Sequence, residues 1–200
     1  MDNIEIKGLT RSAFILRGAM AAGAAYGLGA VSPFVGSAFA QGGDADIVNF
    51  ALTLEYLEAT FYDEALKKVS GFTSAERKLV TELRDNEAEH VKALTATVKQ
   101  LGGSPVAKPM FVFGGAFASK TAFFKTANTL EDTGVSAYNG AAPSIQSADV
   151  LGAAGSIVQV EARHAALIRL ERSKPPAPLA FDKASTKDQV LAAVKPLIKA

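Results

Sequence analysis

The sequence EAEH at residues 87–90 recurs as EARH at residues 161–164, and the two copies contain both histidines of the chain. In an α-helix, residues three positions apart lie on one face, one turn from each other. Each copy therefore presents a glutamate and a histidine side by side, within a long segment of helical character. A four-helix bundle builds a site for two metal ions from one such pair on each of two helices and a single glutamate on each of the other two.

Aligning the two halves of the sequence identifies the single glutamates. Residues 51–55 (ALTLE) correspond to residues 127–131 (ANTLE), which places Glu55 and Glu131 at equivalent positions. A tyrosine follows each glutamate by seven residues, Tyr62 in the first copy and Tyr138 in the second. Seven residues make about two helical turns, so each tyrosine shares a face with its glutamate. The chain thus contains an internal repeat, offset by 76 residues in this half and by 74 in the Glu-x-x-His half.

Together the two motifs predict a metal centre with four carboxylates and two imidazoles. Four negative charges balance two divalent ions, and this ligand set favours two Fe or two Mn ions over zinc or calcium. Without metal, carboxylates crowded in an apolar core repel one another and take up protons. A metal-free bundle that keeps the pattern is the alternative. The predicted ligands are Glu55, Glu87, His90, Glu131, Glu161 and His164.

Two assignments within this set stay open. Glu58 shares a helical face with Glu55 and could replace it as a ligand, but the repeat aligns Glu58 with Gly134, which favours Glu55. Tyr62 and Tyr138 are either core tyrosines or hydrogen-bond donors to ligand carboxylates.

Apolar periodicity and capping signals predict four long helices, at about residues 44–68, 73–101, 119–139 and 147–172. Thr73 and Glu76 form a capping box at the start of the second helix, and Gly140 with Pro143 ends the third. Short connections make helices one and two, and helices three and four, antiparallel hairpins.

The connection between helices two and three is much longer, at residues 102–118. When extended it reaches roughly 55 Å, more than the roughly 38 Å length of a 25-residue helix. The prediction is an all-α four-helix bundle with one long crossover between helices two and three, with MFVF at residues 110–113 packed along its side.

The two ends of the chain have different character. Lys7, Arg11 and Arg17 precede an Ala/Gly-rich apolar stretch and an A-x-A type cleavage site at residues 38–40, so residues 1–40 are predicted to be an export signal, twin-arginine-like or general secretory. An uncleaved membrane anchor is the alternative. The bundle then occupies residues 41–173, in a periplasmic or extracellular location.

Residues 174–200 are predicted to be a Pro-rich spacer and a short amphipathic helix. The helix starts from Ser185 and Asp188, covers residues 189–197, and docks on the bundle; partner binding is the alternative. Its apolar residues are Val190, Leu191, Val194 and Leu197.

Composition excludes several classes of function. The net charge of +1, with acids and bases interspersed, argues against a nucleic-acid partner. The absence of cysteine excludes iron–sulfur and thiolate-zinc sites. No Gly-rich phosphate loop is present, so nothing indicates a nucleotide site.

Four stretches resemble one known family: residues 46–66 (DIVNFALTLEYLEATFYDEAL), 87–94 (EAEHVKAL), 130–143 (LEDTGVSAYNGAAP) and 155–169 (GSIVQVEARHAALIR). They are similar to the exported ferritin-like domain family, which includes the plant desiccation-related proteins. The resemblance implies a ferritin-like four-helix bundle, commonly behind a signal segment, and often without a defined biochemical activity. More distantly, the pattern resembles bacterioferritin and rubrerythrin, but the chain lacks the cysteines of a rubredoxin-type electron donor.

We therefore expect an exported di-metal carboxylate protein that reacts with O2 or peroxide in protection against oxidative stress. The activity would be that of a di-iron oxidoreductase, or manganese-catalase-like peroxide disproportionation, which needs no outside electron donor. The alternative is a non-enzymatic stress- or desiccation-associated bundle in which metal is structural or absent. The expected partners are metal ions and a small oxidant, and the sequence leaves assembly into a homo-oligomer open.

Overall fold

The computed structural model describes residues 43–199, so the predicted export signal lies outside the described residues. The described residues form four long helices and a short one: α1 (Asp44–Lys68), α2 (Ser74–Gln100), α3 (Lys120–Ala141), α4 (Ala148–Glu171) and α5 (Lys187–Val194). Short 3-10 turns occupy Gly114–Phe117, Ala142–Ser144 and Lys195–Leu197. Within residues 43–199 the only β-type pairing is one isolated bridge between Phe111 and Ile198. The predicted all-α class is confirmed.

The helix starts follow local capping chemistry. The Thr73 hydroxyl accepts from the Glu76 backbone N–H and the Glu76 carboxylate accepts from the Thr73 backbone N–H, so the predicted capping box at α2 is confirmed. Ser119 and Ser147 cap α3 and α4 by accepting from Ala122 N and Val150 N. The predicted bounds of α1 agree with the structure at both ends.

The predicted end of the third helix is confirmed, because α3 ends at Ala141, one residue after Gly140 and before Pro143. The tail of the chain lies directly against this glycine. A Cβ atom at position 140 would lie 1.9 Å from the Ser185 carbonyl oxygen, which no side chain allows. Gly140 therefore also permits the backbone of the tail to approach α3 closely.

The termini of the helices establish their directions. Both carboxylate oxygens of Asp44, at the start of α1, accept hydrogen bonds from backbone N–H groups of Gln146 and Ser147, at 2.8 and 2.7 Å. The start of α1 thus lies beside the end of α3 and the start of α4. Since α1 packs mainly on α2 and α3 on α4 as hairpins, α1 and α3 are antiparallel and the connection from α2 to α3 must run the length of the bundle.

Contacts along α1 trace this crossover. Near the start of α1, Asn49 bonds the backbone of Ser104 and Val106, at 3.1 and 2.9 Å. Twelve residues further along α1, roughly 18 Å, Phe61 packs against Phe113 with ring centroids 5.3 Å apart. The predicted crossover is confirmed. In the MFVF stretch, however, only the alternate residues Phe111 and Phe113 face the bundle, as expected of an extended chain.

The C-terminal helix docks on the bundle as predicted, with Val190 and Val194 buried in the core. Its predicted start is wrong. Thr186, rather than Ser185, is the N-cap and forms a capping box with Gln189, so α5 begins at Lys187. Ser185 instead donates its backbone N–H to Ser136 O on α3, at 2.9 Å. Within residues 43–199, no helix is both long and apolar enough to cross a membrane.

The core has two ends of different composition, with buried polar residues between them. At one end, which we call the phenylalanine end, aromatic rings pack against Val80, Leu83 and Ile168. At the other, the aliphatic end, the core consists mainly of small and branched residues. The phenylalanine end contains Phe61, Phe113, Phe117, Phe123 and Phe124, and the aliphatic end contains Val48, Leu52, Leu94, Val98, Val150 and Ile157.

Candidate metal centre

Between the two ends, five glutamates and both histidines are buried among the four long helices. Each glutamate is at most 2% exposed, whereas glutamate is almost never fully buried without a partner. Helix α1 contributes two glutamates, α3 one, and α2 and α4 each a Glu-x-x-His pair. The seven residues are Glu55, Glu58, Glu87, His90, Glu131, Glu161 and His164.

Glu87 and Glu161 each direct one oxygen to each histidine. The Oε2 atom of Glu87 lies 3.1 Å from His90 Nδ1, and its Oε1 lies 2.8 Å from His164 Nδ1. Glu161 does the same, with Oε1 2.9 Å from His90 Nδ1 and Oε2 3.7 Å from His164 Nδ1. Both carboxylates therefore lie between the two imidazoles, whose ring centroids are 6.2 Å apart.

Glu55 and Glu131 each approach only one histidine. The Oε2 atom of Glu55 lies 3.2 Å from His90 Nδ1, and Oε2 of Glu131 lies 3.5 Å from His164 Nδ1. These two glutamates are related by the sequence repeat, and the structure places them in equivalent positions on α1 and α3.

The second oxygen of each of these glutamates accepts a hydrogen bond from the tyrosine of the other repeat. Tyr138 donates to Glu55 Oε1 at 2.5 Å, and Tyr62 donates to Glu131 Oε1. Of the two interpretations of the tyrosines, the structure therefore has the hydrogen bond to a candidate ligand. Each hydroxyl orients a carboxylate so that its other oxygen faces a histidine.

The six predicted ligands fall into two overlapping groups of four. Within each group, one nitrogen or oxygen atom per residue lies within 4.8 Å of the others. Glu87 and Glu161 belong to both groups. The first group adds Glu55 and His90, and the second adds Glu131 and His164.

Glu58 lies beside this cluster and belongs to neither group. A Cβ atom at Gly134 would lie 3.3 Å from Glu58 Oε1 and 3.8 Å from Glu161 Oε2. Position 134 is the repeat equivalent of position 58, so the missing side chain of Gly134 leaves the space that the Glu58 carboxylate occupies.

Among the described residues, six buried side-chain atoms have no hydrogen-bond partner; five belong to the candidate ligands and one to the neighbouring Glu58. His164 Nδ1 and Glu87 Oε1 are 2.8 Å apart, yet their geometry does not meet the angular requirement of a hydrogen bond. Leaving such groups unsatisfied is costly, and cations bound by the two groups would satisfy the five ligand atoms together. The atoms are Glu58 Oε1, Glu87 Oε1, Glu131 Oε2, Glu161 Oε1, Glu161 Oε2 and His164 Nδ1.

Burial and crowding favour protonated carboxyls in the metal-free centre. Burial raises the pKa of Glu55 and of Glu58 well above its ordinary value, and nearby carboxylates, chiefly Glu161, raise it further. Burial also raises the pKa of Glu131 to about 8, although the charge of His164 opposes the shift.

The pKa values of the two histidines are raised and that of Glu87 is lowered, so all three groups favour their charged forms. Burial alone would lower the pKa of His90, but contacts with Glu161, Glu55 and Glu87 raise it to about 12. Burial alone would raise the pKa of Glu87, but contacts with His164 and His90 lower it to about 2. The metal-free centre therefore holds protons that bound cations must displace.

Two features of the centre were not predicted from sequence. The amide nitrogen of Asn86 lies 3.1 Å from His164 Nε2, the ring nitrogen that faces away from the carboxylates. The repeat gives no signal for this contact, because Val160 stands at the position equivalent to Asn86. A surface groove of about 390 Å³ between α2 and α4, lined in part by Glu82, Glu89 and Arg163, also reaches both histidines.

Comparison with known proteins agrees with this architecture. No curated protein matches the chain. A family model for the ferritin-like domain matches residues 43–174, about two thirds of the chain and the whole of the four-helix bundle. With a matching bundle, crossover and buried carboxylate–histidine cluster, the chain belongs to the ferritin-like domain family.

Proposed function

We propose that the bundle holds two divalent ions, Fe or Mn, and uses them in redox chemistry with O2 or peroxide, in protection against oxidative stress. The observation that carries the proposal is that Glu87 and Glu161 each offer one oxygen to each histidine. A carboxylate that offers one oxygen to each of two ligand groups would help to hold an ion in each of them. A single ion would use only one of the groups.

The proposed ligand set follows from the two groups. Glu55 and His90 would hold the first ion, Glu131 and His164 would hold the second, and Glu87 and Glu161 would contribute an oxygen to each. Four carboxylates balance the charge of two divalent ions, and oxygen donors with imidazole suit Fe and Mn. The unsatisfied buried oxygens of Glu87, Glu131 and Glu161 fit this role.

When bound, a pair of Fe or Mn ions supplies one electron per ion, which with two protons reduces O2 to H2O2 or H2O2 to two waters. The remaining contributions come from the chain. Tyr62 and Tyr138 hold the terminal carboxylates in place by hydrogen bonds. The apolar cores on both sides limit access of water, and the groove between α2 and α4 gives small polar molecules a route to the histidine edges.

A metal-free structural bundle is the second candidate, and one observation favours it. His90 Nδ1 lies 2.9–3.2 Å from oxygens of Glu55, Glu87 and Glu161. An imidazolium at this place would compensate part of the buried negative charge without metal. In this case the buried cluster would contribute only to the stability of the fold, and the protein would be a stress- or desiccation-associated structural protein. We further propose that the protein is exported, which rests on the signal-like residues 1–40.

Loading the protein with Fe(II) or Mn(II) without oxygen, then mixing it with O2 or H2O2, tests the proposed activity. We expect stoichiometric metal oxidation or catalytic loss of peroxide. Glu87→Ala should abolish the reaction. Asp85→Ala is the matched control, since Asp85 is an exposed carboxylate on the same helix that lines neither the centre nor the groove, and it should leave the rate unchanged. Bound metal without reaction would leave a structural metal site, and no bound metal would favour the metal-free bundle.

A further inference from the structure

The aliphatic end of the bundle contains a cavity of about 30 Å³ between the four long helices. On the side of the metal centre it is bounded by Leu54, Leu94 and Tyr138. Leu54 precedes the candidate ligand Glu55, Leu94 follows His90 by one helical turn, and Tyr138 donates its hydroxyl to Glu55. The cavity therefore directly adjoins the first group of candidate ligands.

The lining offers nothing to a water molecule. Thr97 and Tyr138 are the only lining residues with polar side-chain atoms. Thr97 donates its hydroxyl to Ala93 O at 2.9 Å, and Tyr138 donates to Glu55 Oε1 at 2.5 Å. A buried water needs two to four polar partners, and apolar cavities stay dry and bind apolar molecules.

The volume of the cavity limits the size of its occupant. A water-sized molecule needs about 10–15 Å³ on this scale, so a cavity of about 30 Å³ takes about two such spheres side by side. That is the size of a diatomic molecule. An organic substrate does not fit.

The sequence repeat explains why the cavity is at this end. With the offset of 76 residues, Phe61 corresponds to Ala137 and Phe123 corresponds to Ile47. Phe61 and Phe123 stack at 5.3 Å in the phenylalanine end and pack against Tyr62. Ala137 and Ile47 line the cavity beside the equivalent tyrosine, Tyr138. The cavity thus occupies space that aromatic rings fill in the other half of the repeat.

We propose that this cavity is a binding site for a small apolar diatomic gas, and that it delivers dioxygen to the metal centre. The inference rests on the proposed function and identifies its oxidant as O2. Peroxide is polar, and its route is the groove at the histidine edges, lined by Glu82, Glu89 and Arg163. Dioxygen would thus reach the centre from the cavity at the aliphatic end, and peroxide would reach it through the polar groove between α2 and α4.

Xenon, an apolar monatomic gas, tests the cavity in the metal-free protein. Methyl NMR spectra of alanine-labelled protein under xenon pressure should show shifts at Ala51, Ala137 and Ala141, which line the cavity. Ala127, the repeat equivalent of Ala51 in the phenylalanine end, should not shift. Absence of xenon-dependent shifts, or equal shifts at Ala127, would overturn the proposal. This experiment does not depend on metal binding.

Filling the cavity tests delivery of dioxygen. Ala51→Val adds bulk to the half-buried cavity wall, and Ala137→Val is a second, independent filling variant. Both should abolish the xenon shifts. In the Fe(II)-loaded protein they should slow oxidation by O2 at least about tenfold, because one extra carbon in a small apolar pocket costs about that much and valine adds two. Oxidation by H2O2 should be unchanged.

Ala127→Val is the matched control, which should retain xenon binding and the rate with O2. Loss of xenon binding in the filling variants with no change in the O2 rate, or an equal slowing with both oxidants, would overturn the assignment. Failure of the wild-type protein to bind metal, with xenon binding intact, would instead reject the proposed function and leave the gas site standing.

Discussion

The phenylalanine end and the aliphatic end of the bundle derive from the same sequence repeat, yet they pack differently. Phe61 and Phe123 fill the space next to Tyr62, whereas Ala137 and Ile47 at the equivalent positions leave a cavity next to Tyr138. The hydrogen bonds of the two tyrosines are nevertheless equivalent, each to the glutamate of the other repeat.

This difference shows that hydrogen bonding and packing constrain the choice of residues differently. A carboxylate oriented by a hydroxyl needs one donor at one place, so the residue types at these positions agree in both halves. Packing requires only that a volume be filled without strain, and cores tolerate different side chains that satisfy it. The two halves therefore differ in packing, while the six candidate ligands and the two tyrosines keep equivalent positions.

The largest expected effect is on packing. Phe61→Ala removes a fully buried ring that contacts four other rings and should cost about 3–5 kcal/mol. Ile47→Ala at the aliphatic end should cost about 2 kcal/mol, the low end for such a change, because Ile47 already borders a void. Urea unfolding of both metal-free variants measures the difference, and equal losses would show that the two ends are packed alike.

A smaller effect is expected of the hydroxyls, and it should be the same at both ends. Tyr62→Phe and Tyr138→Phe each leave a buried carboxylate oxygen without its donor, which costs about 1–3 kcal/mol. Loss of such a supporting bond should also weaken metal binding about 10- to 100-fold.

The half-buried Tyr56 on α1 provides the control for the hydroxyl change. Tyr56→Phe should alter stability by less than about 0.5 kcal/mol. Unfolding and metal titration of the three variants compare the ends directly. A large loss from only one of the two buried tyrosines would contradict the equivalence of the two hydrogen bonds.

Much of the fold and of the centre could be predicted from sequence because the signals are local or repeated. Helix periodicity, the Thr73–Glu76 box and the length of the crossover depend on neighbouring residues, and the repeat brings Glu55 and Glu131 into one pattern. Contacts between distant segments carry no such signal. The approach of Ser185 to Gly140 is one example, since from sequence alone this glycine has the pattern of a helix end.

The polar centre shows the same limit. Nothing in the spacing indicates that Glu87 and Glu161 each face both histidines, because that depends on how α2 and α4 are oriented about their axes. The repeat could not predict the contact of Asn86 with His164, because the second half has Val160 at the position equivalent to Asn86. The cavity arises from differences between the halves, which the search for a repeat ignores.

Metal binding should depend on pH with a definite sign. Burial raises the pKa of Glu131 to about 8, and carboxylate contacts raise that of His90 to about 12 against the effect of burial. Both groups thus hold protons near neutral pH that cations must displace. The affinity for metal should therefore increase as pH rises towards 8, and the accompanying proton release can be measured by calorimetry in buffers of different ionisation enthalpy.

The most direct test of the central claim is the number of ions bound per chain, measured by anaerobic titration with Fe(II) and with Mn(II). We expect two ions in the wild-type protein and in Glu58→Ala, and fewer in Glu55→Ala, because Glu55 belongs to a ligand group and its neighbour Glu58 does not. Fewer than two ions in the wild-type protein, or an equal or greater loss in Glu58→Ala, would contradict the proposed two-ion centre.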